Sequence, residues 1–585
     1  MSAVRPRTTA SLLFALPISL AGADVASAVW NPEQQKEILD KTLVVRLAPD
    51  LGGLAPGERK AVEELLAVGA IFQRVYEDSR HPQALAAGAG LKGDAATLYR
   101  IFQGPIATTL DNRREPFLGV DPETPGKNVW PWGIDAAEVD RFLAAHPEDR
   151  GEILAERTAV RRATAENLGR DLAALGRHPV LSALHPGLRE RLTALAATPD
   201  PAVLYAVPYA VAWADDMIAA QRALFRAADA VVTDDAELAG YLRNRGRDLL
   251  SNDYESGDAA WVTGRFGRLN AQIGAYETYD DALFGVKAFA SFSLLVRDEA
   301  ATAELAKTLG GLQEVEDALP FAAHKRVRSD LPVGVYRVVA DFGQARGTNT
   351  ASILPNDPLY SRRYGRTILL RENIMTHPEL FALAQRRFRA AVAPEHAGEL
   401  AIDGGFQRTL WHEIGHYLGP DRTRDGRPLD QALTGWADAL EELKADLVSL
   451  FTVDRFAANG RIDAARLRAV QADGILRTLL DHRPRRDQPY QTMMLAQLNW
   501  FLDRGLLAMD GDGRLEIRYE RYAETVEAML ARVLELQAQG DPAAAEAFFT
   551  KWTTWTDTLH EPLAARLREA AGPRYRLVRY AALGE

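Results

Sequence analysis

Residues His412-Glu413-Ile414-Gly415-His416 place two imidazoles one helical turn apart with a carboxylate between them. Positions i and i+4 share a helix face, so both rings can reach one metal ion while Glu413 stays free to take a proton from bound water. That is the chemistry of a zinc peptidase. Leu410-Trp411 before the motif and Tyr417-Leu418 after it, stopped by Gly419-Pro420, read as a short buried helix. Gly415 stands out, because glycine inside a helix costs about 1 kcal/mol relative to alanine. It implies that another backbone, or the substrate, passes close to that turn.

A tetrahedral catalytic zinc takes three protein ligands and keeps a fourth position open, so a third ligand is expected downstream. Residues 441–451, EELKADLVSLF, form a strong helical pattern in which Glu442 and Asp446 lie four apart on one face. Glu442 is expected to bind the metal. Asp446 and Glu441 are expected to accept hydrogen bonds from the ligand histidines, since such outer bonds fix imidazole tautomer and orientation. Taken alone, the stretch would read as a solvated acidic face; the preceding HEIGH segment changes that reading.

With both segments in view, the sequence resembles the dipeptidyl peptidase III family of zinc peptidases, in the subgroup with a five-residue metal motif. Three further segments are similar to the family: NDYESGDAAW (252–261) with IGAYETYDDALFGVKAF (273–289), RGTNTASILPNDPLYSRRYGRTILLRENIM (346–375), and QPYQTMMLAQLNWFLDRG (488–505). The resemblance spans about residues 240 to 510. It implies one zinc ion, a peptide substrate, and two lobes around a wide cleft: a helical zinc lobe and a lobe with a small β-barrel. Family members use a Tyr and a His at the transition state, and a Glu with Asn residues at the substrate's amino terminus. Those positions are here Gln272, Tyr490, Asn270 and Ile353, while Asn356 keeps its match. The resemblance thus makes Asn356, Gln272 and Asn270 the candidate substrate-binding residues. With Glu413 as base, Tyr490 is the expected hydrogen-bond donor to the developing oxyanion, and His482 or a nearby arginine is the alternative. A buried ammonium without an acidic partner is expensive, so weak dipeptide release is expected; the competing possibility is that other acids, such as Glu277 or Asp357, take over the ammonium. Plant relatives carry a Nudix phosphohydrolase domain as well; no Nudix box is present here. Two other readings stay open: a zinc-containing peptide-binding protein with little turnover, and a zinc hydrolase of non-peptide amides.

The 585 residues are 47% apolar, enough for a large core. A formal net charge of -11 and the lack of a basic cluster argue against nucleic-acid binding. Arg5 and Arg7 precede the apolar run Ser11 to Ala21, and small residues at Ala21-Gly22-Ala23 and Ala26-Ser27-Ala28 offer cleavage sites, a secretory signal pattern over residues 1–28. The mature chain is expected to be soluble and periplasmic or secreted, with no stretch of the roughly 18 apolar residues that a span needs. Cysteine is absent, so there is no disulfide framework. The residues leave the oligomeric state open, with a monomer as the expectation.

Helical patterns dominate the first two hundred residues. Val62, Leu65, Leu66, Phe72 and Val75 form one stripe, and Val526, Met529, Leu530 and Val533 another near the end. Strand signals cluster at 292–296, 335–339 and 367–370, followed by the helical metal segments, so the class is α+β and predominantly helical. A long loop is expected from Gly343 to Gly365, holding Asn349 and Asn356. The expected division is residues 29–385 for a mostly helical lobe with central strands and the substrate loop, and 386–585 for the zinc lobe.

Overall fold

The computed structural model describes residues 29–309, 311–327, 333–347, 350–354, 358–485 and 488–585. The apolar leader, Asn349, Asn356 and Asp357 therefore lie outside the described residues. In the first lobe, β1 (Thr42–Leu47) precedes the long helix α1 (Pro56–Arg80). Pro56 opens α1, and Glu58 reaches back to the backbone N–H of Ala55 at 2.7 Å, satisfying a donor that the helix start leaves free. Its stripe of Val62, Leu65, Phe72 and Val75 is buried. It packs on α2 (Ala214–Val231), which packs in turn on α3 (Ala236–Ser251).

The central sheet contains β2 (Leu269–Ala275), β3 (Ala290–Arg297), β4 (Val333–Gly343), β5 (Ala351–Leu354) and β6 (Thr367–Arg371), in the order β2-β3-β4-β6-β5. Only the β4–β6 pair is parallel. The expected small barrel is not closed. Closure needs the first and last strands to pair, and among the described residues β2 and β5 remain edges. The outer edge of β2 is faced by α3, from which the Tyr241 hydroxyl donates to the Ala271 carbonyl at 2.7 Å, and β5 is only four residues long. The expected loop from Gly343 to Gly365 is also shorter than read. It contains β5, paired antiparallel with β6 through Ala351↔Leu370 to Leu354↔Thr367, and a helix over Pro358–Tyr364.

Two large apolar cores lie on opposite faces of this sheet, which gives the molecule its two lobes. Leu369 of β6, Val338 of β4 and Phe292 of β3 belong to the core of the first lobe; Ile368 and Leu370 of β6 and Val335 of β4 belong to the other. Side chains alternate faces along a strand, so a strand buried on both sides reads as the continuous apolar run Ile368-Leu369-Leu370.

The second lobe is built on α5 (Ala437–Ala458), in which every residue from Leu443 to Val453 is buried. Around it pack α4 (Gly404–Gly415), α6 (Ala464–Thr478), α7 (Pro489–Asp503) and α8 (Tyr522–Gln539). Val526, Met529, Leu530 and Val533 are the inward stripe of α8. The chain then returns: β7 (Tyr575–Tyr580) pairs in parallel with β1, and its Val578 and Tyr580 join the core of the first lobe. Among the described residues no helix is long and apolar enough to cross a membrane.

Candidate metal centre

α4 ends at Gly415, and His416 sits at its C-cap still in right-handed helical geometry, so the i, i+4 relation to His412 survives the helix end. The two rings lie 5.0 Å apart, centre to centre, and nearly perpendicular. The turn is held by Lys444 of α5, whose buried ammonium donates to the carbonyls of Gly415 at 2.7 Å and Leu418 at 2.9 Å, acceptors that a helix end leaves unpaired. Gly415 is where α4 and α5 touch: a Cβ there would stand 2.9 Å from the Ala445 carbonyl oxygen. The close backbone is thus that of α5.

Glu442 and Asp446, one turn apart on α5, address the two nitrogens of the same ring. Glu442 Oε2 stands 3.2 Å from His412 Nε2, and Asp446 Oδ1 stands 3.2 Å from His412 Nδ1. Glu441 holds His416 by Nδ1 at 2.9 Å. With each Nδ1 turned to a carboxylate, Nε2 is the ring nitrogen left to face inward. One ligand atom each from His412, His416 and Glu442 lies within 4.8 Å of the others. Glu442 Oε2 is buried and has no hydrogen-bond partner. An orphan carboxylate oxygen beside two imidazole nitrogens fits a divalent cation, and two histidines with one carboxylate are a donor set suited to zinc.

Burial opposes charging His412, yet the Asp446 and Glu442 carboxylates outweigh it and push its pKa up to about 9. Burial likewise opposes ionisation of Glu441, but Lys444 and His416 bring it down to about 2. Glu442 is also held below the ordinary carboxylate range, against its burial, by His412, His416 and Tyr490. Glu413 goes the other way: burial raises it, and the two histidines offset only part of that, so its carboxylate binds a proton more readily than a solvated one. The Tyr490 phenol, half-exposed in the first turn of α7, faces Glu442 and Glu413; burial and these two charges push it up to about 12, so it remains a donor.

Further residues complete the shell. Asp446 accepts from Arg408 at 2.7 Å and Gln497 at 2.9 Å, Arg408 also binds Asp473 at 2.6 Å, and Gln537 donates to Glu441 at 3.1 Å. Of these only Arg408 left a trace in the sequence, as a charge one turn before His412 on the same helix face. The substrate candidates of β2 are engaged elsewhere. Asn270 accepts from the Trp261 indole at 2.8 Å and donates to the Tyr336 hydroxyl at 3.2 Å, while Gln272 accepts from the buried Arg371 at 3.0 Å. His482 is exposed and paired with Asp481 at 2.6 Å.

No family model matches the chain. A curated relative, Nudix hydrolase 3 of Arabidopsis thaliana, is 26% identical over 367 residues, which are 62% of this chain and 47% of that protein. The match therefore spans about half the length of that relative. Dipeptidyl peptidase III from Caldithrix abyssi superposes with a TM-score of 0.78 at 24% identity, covering 94% of this chain and 99% of its own. Dipeptidyl-peptidase III from Corallococcus sp. strain EGB superposes with a TM-score of 0.71 at 24% identity, covering 95% and 99%. The chain is a two-lobed, mainly helical α+β protein. Its fold is that of dipeptidyl peptidase III, as the sequence resemblance implied.

Proposed function

We propose that the chain is a zinc-dependent peptidase of the cell envelope, related to dipeptidyl peptidase III. The observation that carries this reading is the convergence of His412, His416 and the orphan Glu442 oxygen, with both histidines oriented from behind by carboxylates. His412, His416 and Glu442 would hold the ion, which when bound supplies Lewis-acid polarisation of the scissile carbonyl and acidifies water. Glu413, raised by burial, takes the proton from the attacking water and delivers it to the departing amine. Tyr490, protonated at neutral pH, donates to the oxygen on which charge develops. Asp446 and Glu441 keep the imidazoles in the ligating tautomer. Because Asn270 and Gln272 are already bonded within the first lobe, a substrate amino terminus would compete with those bonds. Peptides whose amino terminus is not gripped there are the proposed substrates.

The test joins metal content to turnover. Purified protein should hold about one zinc per chain, lost in His412→Ala and Glu442→Ala. Glu413→Gln should keep the zinc while peptide hydrolysis falls by roughly two or more orders of magnitude. Full metal in the ligand variants, or full activity in Glu413→Gln, sinks the reading. Assaying one peptide series with free and acetylated amino termini separates dipeptide release from the broader activity.

A further inference from the structure

A polar cavity, of about 610 Å³, opens where the chain crosses from the second lobe back to the first, between Leu383, the link Pro573-Arg574 and β7. Its lining includes four arginines, Arg100, Arg346, Arg574 and Arg576, and no acidic side chain among the described residues. In a protein of net charge -11 that is a local inversion of sign. Two of the charges are matched from behind: Glu77 attracts Arg100 and Arg346, and Asp341 attracts Arg346. Glu585 pairs with Arg100 and, at 3.4 Å, with Arg346. Among the described residues Arg574 is engaged by neutral acceptors, the Leu110 carbonyl and Asn112. Arg576 has no hydrogen-bond or ion-pair partner among the described residues, and burial alone lowers its pKa. The Arg346 side chain is 4% exposed, and its Nη1 is buried without an acceptor. Burial, and then the neighbouring Arg346, bring Arg100 down to about 10. Arg574 and Arg576, exposed at the cavity with no carboxylate partner among the described residues, leave its rim open to negative charge.

We propose that this cavity binds a small polyanion, a molecule carrying two or more phosphate or carboxylate groups, through Arg100, Arg346, Arg574 and Arg576. The guanidinium fork accepts phosphate and carboxylate alike, and a cavity of this size admits a metabolite-sized ligand. The site shares no residue with the metal centre and does not depend on the peptidase reading.

Titration calorimetry of the full chain with inorganic pyrophosphate and, separately, citrate tests it and distinguishes the two anion chemistries. One-site saturable binding of at least one probe is expected, weakening as ionic strength rises. The double variant Arg574→Gln, Arg576→Gln should weaken it about tenfold or more; both side chains reach solvent, so the fold should tolerate the change. Both probes can chelate metal, so the titration is repeated on His412→Ala, where binding should persist. Absence of saturable binding, indifference to the double variant, or loss in His412→Ala each overturns the proposal.

Discussion

His412 is oriented by Asp446, and Asp446 in turn leans on Arg408, which divides its guanidinium between Asp446 and Asp473. Asp446 is fully buried, so removing its cation leaves a charge that only His412 and Gln497 contact by hydrogen bond among the described residues. Arg408→Gln is expected to weaken zinc binding by about tenfold, the low end of the range for losing an outer partner of a metal ligand, because Arg408 acts one step further out through Asp446. Unfolding free energy should fall by about 3 kcal/mol, as for one half of a buried pair. Chelator competition and denaturant melts measure the two effects; an unchanged zinc affinity would show that Asp446 needs no help from Arg408. Asp454 offers a separate test. Burial pushes its pKa up to about 6, with one hydrogen bond from Gln471 only partly offsetting the cost, and its Oδ2 is buried without a partner. A carboxyl with a raised folded-state pKa contributes stability that is complete below its unfolded value of about 3.9. That contribution is lost as pH climbs through about 6. Asp454→Asn should therefore stabilise the protein by on the order of 1–2 kcal/mol at pH 7 and leave stability at pH 4 nearly unchanged. A pH-independent effect would mean that the carboxyl is not ionising in the folded protein.

At the scale of elements, the candidate metal centre is a crossing of two helices, and Gly415 sets how closely they cross. Gly415→Ala would gain about 1 kcal/mol of helix propensity, yet its Cβ meets the Ala445 carbonyl oxygen at 2.9 Å and Ala445 Cα at 3.0 Å. α4 and α5 must move apart, and His416 with them. The expected outcome is a lower melting temperature together with weaker zinc binding; a gain in both would show that the crossing has slack. The crossing was legible in the sequence because HEIGH and EELKAD each use helical spacing to bring their groups to one face, and because a glycine amid Ile414 and His416 asks for an explanation. The outer partners were not, since Gln497 and Gln537 come from helices 51 and 96 residues beyond the carboxylates they bond. Three strands of the central sheet announced themselves through β-branched and aromatic runs. β2, reading LNAQIGA, did not, because its place is secured by β3 on one side and α3 on the other rather than by its own propensity. β5 was hidden for a similar reason: four residues carry little pattern without β6 beside them.

For the molecule as a whole, the two cores share one sheet, so the lobes are not independent beads on a linker. Strand β6 contributes Leu369 to one and Ile368 and Leu370 to the other. The contribution of β7 is of a different kind. Deleting residues 574–585 removes Val578 and Tyr580 from the core of the first lobe and the whole partner of β1. The shortened chain should lose amide-exchange protection over residues 42–47 while α5 in the metal lobe keeps its own. Equal loss in both lobes would show that the first lobe cannot loosen alone. The pairing of β1 with β7 also governs the order of events during synthesis. At about 5–20 residues per second, an early domain ordinarily folds while later ones are still being made. Here β1 waits unpaired for more than 500 residues of translation, until Tyr575–Tyr580 arrives. Through that interval an exposed strand edge is open to wrong partners, so the protein's yield in the cell should respond more to holdase chaperones than its final stability would suggest.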